Sequence, residues 1–145
     1  MNEVRRIELA EIEALANECV DVFQRKLNVR LDLNDCDDTA QKLDDAFRDI
    51  FKLKGAFAQD DFYWHFVKPV GACLGELLRR HAAHEWIKQP DEAPTMRISL
   101  KDGFSDVFPF EKVINHAMGG DPSDLVAYVA FAQAIRGMEG DLASS

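Results

Sequence analysis

The side chains best able to do chemistry lie close together between Gly71 and Trp86, in the stretch GACLGELLRRHAAHEW. His81 and His84 stand three residues apart there, and Glu85 follows directly. Two histidines at this spacing on one helix can bind a single metal ion, with the glutamate as a third ligand. The zinc-protease helix, however, has the order H-E-x-x-H, with a general base between ligands four residues apart. Because we also expect the helix to end between the two histidines, we predict no metal site. We interpret both histidines as surface groups near a helix C-terminus, where partial positive charge is favoured.

A second candidate set consists of Glu76, Arg79, Arg80 and His81. The two arginines could bind a phosphate or a carboxylate. They also suit the last turns of a helix, where bases stabilise the helix dipole, and Glu76 is spaced to pair with Arg80. A partly buried carboxylate must be hydrogen-bonded or paired, and Arg79, Arg80 or Arg97 could serve Glu76. No glycine-rich phosphate loop accompanies the arginines, and no nucleophile or second acid stands at a fixed distance from the glutamate. The structural interpretation is favoured and no catalytic residue is predicted, but a ligand pocket around these four residues remains an alternative.

These side chains belong to a predicted helix that begins near Asp60 or Asp61 and runs to His81. From Phe62 onward it is apolar nearly all round, which is typical of a central helix covered on several sides. Pro69 predicts a kink or a restart, with the proline in a first helical turn. Gly71 and Gly75 share one face, and each costs about 1 kcal/mol relative to alanine. We therefore expect another backbone to approach that face closely.

Apolar spacing and capping residues predict helices on both sides of this one. The segment NVRLDLN, residues 28–34, alternates as a short strand or an extended connector does. The further predicted helices are 3–27, 35–55 with Asp35 as its N-cap, 110–118, and 121–135 with Asp121 as its N-cap and Pro122 in its first position.

Strand patterns occupy the region after His81. Residues 84–89 and 95–100 are two strand-like runs, and the second alternates apolar with polar side chains. Asp102-Gly103 predicts a tight hairpin turn into a third strand, which Pro109 ends. The predicted fold class is α+β: helices packed on one face of a small antiparallel sheet of about three strands, around a central apolar helix.

The 145 residues predict a single domain, with a composition that is 47% hydrophobic and 30% charged. Its parts are a helical N-terminal region with an acidic face (1–55), a region with the central helix, the strands and the C-terminal helix (56–137), and a frayed tail (138–145). The N-terminus mixes charged with apolar residues, so we expect neither a signal peptide nor a membrane span. Three cysteines without metal-type spacing fit a reducing interior. The prediction is a cytoplasmic protein that is not associated with a membrane.

The net charge of −9 is unevenly distributed. Residues 1–50 hold 13 of the 26 acidic side chains and 7 basic ones. Such a field repels nucleic acid, whose binding needs clustered Lys and Arg, and favours encounter with a basic protein. A solvated face is the default interpretation of the second helix's acids, and a partner-binding surface is the alternative. That candidate surface consists of Asp37, Asp38, Asp44, Asp45 and Asp49.

The order of short motifs over roughly residues 60–135 resembles a group of small bacterial domains of unknown function, some of them immunity-type proteins of toxin–immunity pairs. The resemblance is carried by G-x-x-L-G-E (Gly71 to Glu76), an Arg-rich helix end, Glu85-Trp86, and V-F-P-F (107–110) before a Gly-Asp and a final helix. It implies that the glycines, the glutamate and the tryptophan determine the fold, and it brings no catalytic residue with it. Where those domains are strongly basic after V-F-P-F, this chain has Glu111, Lys112 and His116, so a shared ligand surface does not follow.

The sequence leaves three functional hypotheses. The leading one is a non-enzymatic, immunity-like or antitoxin-like protein that needs no cofactor and binds a basic protein through its acidic helical surface. A small enzyme or ligand-binding domain using the pocket around Glu76 is the second. The third is a self-associating structural module, a homo-oligomer that uses surplus apolar helix surface.

Overall fold

The computed structural model of the chain describes residues 5–48, 66–117, 125, 128–130 and 133–134. A single 3-10 turn (Leu9–Glu11) leads into helix α1 (Ile12–Leu27). The predicted start at residue 3 lies outside the described residues, and the regular α-helix begins later than expected. Glu8 is extended, and Ile7 is buried with 1% of its surface exposed. A continuous helix would turn Ile7 about 140° away from Ile12, so the extended entry is what brings both side chains into the core.

The segment between the first two helices is a connector and not a strand. Asn28 ends α1 in the left-handed conformation, with φ of 54°. Helix α2 (Cys36–Arg48) then begins as predicted, because the Asp35 carboxylate accepts a hydrogen bond from the Asp38 backbone N–H (3.3 Å). The predicted continuation of α2 to residue 55 lies outside the described residues.

Helix α3 (Lys68–His81) is the central element, and the expected position of Pro69 in a first helical turn is confirmed. The predicted start near Asp60 or Asp61 lies outside the described residues. Pro69 is the second residue of the helix and follows a π-helical turn at Phe66 and Val67. Every residue from Pro69 to Leu78 is buried, so the helix is covered all round, as its apolar pattern predicted. The Phe66 ring stacks on Phe23 of α1 at 5.2 Å between centroids and meets Phe47 of α2 edge-on at 5.4 Å.

The α+β class is confirmed, with one three-stranded antiparallel sheet in the order β1-β2-β3. The strands are β1 (Glu85–Ile87), β2 (Thr95–Leu100) and β3 (Gly103–Val107). Leu100 pairs with Gly103, so the two-residue hairpin loop is Lys101-Asp102, one position earlier than predicted. Gly103 takes a φ of 151°, which glycine adopts without strain, and opens the strand.

Helices cover one face of this sheet. Met96 and Ile98 of β2 are almost fully buried, while Arg97 and Ser99 point to the opposite, more open face. Helix α4 (Pro109–Ala117) begins at the proline that ends β3 and packs against α3. Leu125, 128–130 and 133–134 are also helical, whereas the predicted cap at Asp121 and Pro122 lies outside the described residues.

Candidate functional site

Glu76 is buried in α3 and fully engaged within the protein. Its carboxylate accepts two hydrogen bonds from the Arg79 guanidinium, at 2.7 and 3.2 Å, and one from the Trp86 indole N–H at 3.1 Å. Burial raises the pKa of this carboxyl, but the bonds from Arg79 and Trp86 and the charge of Arg80 outweigh it and hold the pKa below its usual range. Of the three bases expected as possible partners of this carboxylate (Arg79, Arg80 and Arg97), Arg79, three residues on, forms the ion pair at 2.7 Å, and Arg80 at the i+4 spacing does not.

The two glycines of α3 receive aromatic rings. A methyl group at Gly75 would overlap the Trp86 ring, and one at Gly71 would stand 2.5 Å from the Phe110 ring and 3.2 Å from the Phe110 Cα. The expected close approach of a backbone is therefore found at Gly71, whereas at Gly75 the nearest atoms belong to a side chain. The Trp86 and Phe110 rings lie 5.9 Å apart. We call Gly71, Gly75, Glu76, Trp86 and Phe110 the glycine–aromatic lock; it joins α3 to β1 and α4.

The remaining residues of the predicted pocket turn outward or toward the connector. The Arg80 guanidinium donates to the Asn34 side-chain oxygen at 3.4 Å, and the His81 Nε2 lies 2.8 Å from the Leu33 carbonyl oxygen. Arg79 and Arg80 are exposed, while Glu76 points inward. The arrangement therefore positions the end of α3 against the connector. It does not converge on a shared cavity within the part of the chain that the structure describes.

His84 corrects the prediction of a surface histidine, because only 1% of its surface is exposed. Its Nδ1 donates to the Ala82 carbonyl at 2.7 Å, and its Nε2 has no hydrogen-bond partner among the described residues. Burial lowers the pKa of the imidazole, and the bond to Ala82 opposes this only in part. Helix α3 ends at His81, so the two histidines do turn apart. Within ranges 5–48 and 66–117, no group of three His, Cys, Asp or Glu side chains is placed to hold a metal ion.

The predicted acidic surface of α2 is only partly a surface. Asp37, Asp38 and Asp45 are exposed, whereas Asp44 is 4% exposed and accepts a hydrogen bond from the Leu125 backbone N–H at 2.7 Å. Asp44 is thus a core residue that holds the helical segment around Leu125, and its assignment to a partner surface is wrong. Asp49 lies outside the described residues.

Sequence reasoning missed a groove of about 590 Å³ between the β1–β2 loop and α4. In the sequence, Pro109 predicts only the end of a strand and V-F-P-F contributes only to the resemblance, and no local pattern joins segments so far apart. The groove is lined by Arg5, Pro90, Asp91, Glu92, Ala93, Pro94, Thr95, Phe108, Phe110, Glu111, Ile114 and Asn115.

Comparison with known proteins adds no functional residue to this geometry. No protein-family model, curated protein or solved structure matches the chain. Among the described residues, no helix is both long and apolar enough to cross a bilayer.

Proposed function

We propose that this chain is a non-enzymatic, cytoplasmic, immunity-like protein that binds and neutralises a basic protein partner. The observation that carries the proposal is the exposed acidic side of α2. Asp37, Asp38 and Asp45 face solvent there, while Leu43 and Phe47 on the other side of the helix are buried in the core.

This surface suits long-range attraction better than tight contact. Asp38 forms an ion pair with Lys42 at 2.8 Å, and Asp45 accepts a hydrogen bond from Gln41 at 3.0 Å. Side chains that are already engaged contribute mainly through their field, which the net charge of −9 reinforces. Such a field raises the association rate with a basic protein, and the effect weakens as salt is added.

The non-enzymatic part of the proposal is supported by Glu76, whose carboxylate is already hydrogen-bonded within the protein. Glu76 uses both carboxylate oxygens to hold Arg79 and Trp86. A general acid or base must instead have an oxygen available to its substrate. The residues that carry the resemblance to immunity-type domains, Gly71, Gly75, Glu76 and Trp86, form the glycine–aromatic lock, which is a structural role.

The test is capture of a partner by the tagged full-length chain from its host, with the neighbouring genes co-expressed, followed by identification and a salt titration of the complex. We expect a protein rich in Lys and Arg whose association rate falls at least tenfold between 0.02 and 0.3 M salt. The double variant Asp37→Asn/Asp38→Asn should slow association, since it removes two exposed charges of α2.

A matched control is Glu8→Gln/Glu11→Gln, which removes two exposed acids from the turn before α1. Equal slowing by both double variants would reduce the role of α2 to a share of the net charge. Capture of an acidic protein only, or binding that is insensitive to salt, would contradict the proposal.

A further inference from the structure

We propose that the groove between the β1–β2 loop and α4 is the docking site for a short basic segment of the partner, one apolar side chain flanked by arginines. The inference rests on the proposed function and assigns it a contact surface distinct from α2. The groove combines a preformed cavity, three carboxylates that have no partner among the described residues and a half-exposed aromatic ring.

The walls of the groove are held by contacts within the fold. The Lys88 ammonium donates to the backbone carbonyls of both Arg5 and Glu92, which ties the N-terminal end of the described chain to the β1–β2 loop. Opposite the loop, α4 is fixed through Phe110, whose ring packs against Gly71 and Trp86 of the glycine–aromatic lock. A ligand would therefore meet a cavity that is already shaped, which lowers the entropic cost of binding.

The charge of the lining favours a cation. Asp91, Glu92 and Glu111 are exposed there, and Arg5 is the single basic side chain among the described residues that line the groove. None of these three carboxylates makes a hydrogen bond or ion pair with a residue that the structure describes. Lys88 is not among the lining residues, and its ammonium donates to the two carbonyls. By contrast, Asp38 and Asp45 of α2 are engaged by their own helix, whereas the three acids of the groove lie around one cavity.

The apolar part of the lining favours a guanidinium over an ammonium group. Phe108 is 48% exposed at the edge of the groove, next to Pro90, Pro94 and Ile114. A guanidinium can stack on such a ring while its N–H groups reach a carboxylate, which an ammonium does less well. The protein already shows this geometry on its sheet, where the Arg97 guanidinium lies 3.7 Å from the Phe104 ring centroid and pairs with Asp106. An Arg–apolar–Arg segment matches both the negative charge and the apolar surface of the groove. The groove volume of about 590 Å³ lies within the usual range of about 300–1,000 Å³ for ligand pockets.

The probe is the capped tripeptide acetyl-Arg-Leu-Arg-amide, titrated into the isotope-labelled full chain while backbone amide resonances are followed. We expect saturable shifts concentrated in residues 91–95 and 108–115, with a dissociation constant on the order of 1 mM, about −4 kcal/mol. Acetyl-Gln-Leu-Gln-amide and acetyl-Glu-Leu-Glu-amide should bind at least tenfold more weakly. Shifts of equal size with the glutamine peptide, shifts confined to α2, or no saturable shifts would each overturn the proposal.

Two variants assign the binding energy within the groove. Glu92→Gln/Glu111→Gln should weaken the arginine peptide at least tenfold, and Phe108→Ala should weaken it several-fold by removing the stacking surface. All three residues are exposed, so the fold should persist, which an unchanged amide spectrum outside the groove would verify. The matched control Glu8→Gln/Glu11→Gln, at exposed acids outside both the groove lining and α2, should leave the peptide affinity within twofold, and an equal loss in this control would overturn the assignment.

The two proposals fail in different ways. If a basic host protein binds Glu92→Gln/Glu111→Gln as tightly as the unmodified chain, the docking site is wrong and the proposed function stands. If the peptide occupies the groove but no basic protein is captured, the groove is a cation-binding site and the proposed function is wrong.

Discussion

At Gly75, even one added methyl group should lower the stability of the fold. The Trp86 ring occupies the space of a Cβ, so Gly75→Ala forces the ring away and strains the indole hydrogen bond to Glu76. Overpacking of this kind destabilises a protein by about 1–3 kcal/mol, which urea denaturation would measure. In a Trp86→Phe background the clashing atoms are gone, and the same alanine should cost less than about 0.5 kcal/mol or even stabilise the helix. An equal cost in both backgrounds would show that the ring is not the reason for the glycine.

His84 predicts a pH dependence near neutrality. Burial lowers the pKa of its imidazole below the ordinary value of 6.5. As pH falls through about 6.5, the unfolded chain therefore binds a proton that the folded protein does not, and the free energy of unfolding decreases until the folded pKa is reached. We expect lower stability at pH 5.5 than at pH 7.5 in urea titrations. His84→Phe should reduce that difference, and an unchanged difference in this variant would contradict the assignment to His84.

At the scale of elements, Asp44 joins α2 to the helical segment around Leu125, and its neighbour provides a matched comparison. Asp44→Ala leaves the Leu125 backbone N–H buried without its partner, which costs about 1–3 kcal/mol. Asp45→Ala removes an exposed carboxylate from the next position of the same helix and should change stability by less than about 0.5 kcal/mol. Thermal unfolding of both variants would compare them directly, and similar values would contradict the assignment of Asp44 to the core.

Asp44 and Asp45 also show which features of a helix the sequence can predict and which it cannot. Local signals placed several ends correctly: Asp35 caps α2, Pro69 lies in the first turn of α3, and alternation marks β2 residue for residue. They placed the start of α1 too early and the hairpin turn one position too late. Asp44 and Asp45 have the same local chemistry, and what separates them is a backbone N–H 81 positions along the chain. His84 is similar, since its burial depends on how the chain leaves α3. The groove needs three distant segments to meet, so no local pattern could predict it.

At the scale of the whole molecule, the charge of −9 predicts a response to salt. Like charges repel more strongly in the compact folded state than in the expanded chain, and added ions screen that repulsion. Raising sodium chloride from 0.02 to 0.2 M should therefore increase the free energy of unfolding, by roughly 1 kcal/mol or less, the scale of surface charge interactions. A decrease would mean that ion pairs such as Arg97–Asp106 outweigh the general repulsion.

The contact of Gly75 with Trp86 also constrains how these two positions can change during evolution. A lineage that loses the tryptophan removes the reason for the glycine, and alanine then becomes the better helix former at position 75. A lineage that replaces the glycine first must lose or move the ring. The two positions should consequently change together over evolution, so a distant relative can be sought by a helical glycine and a tryptophan eleven residues later, even where the rest of the sequence has diverged.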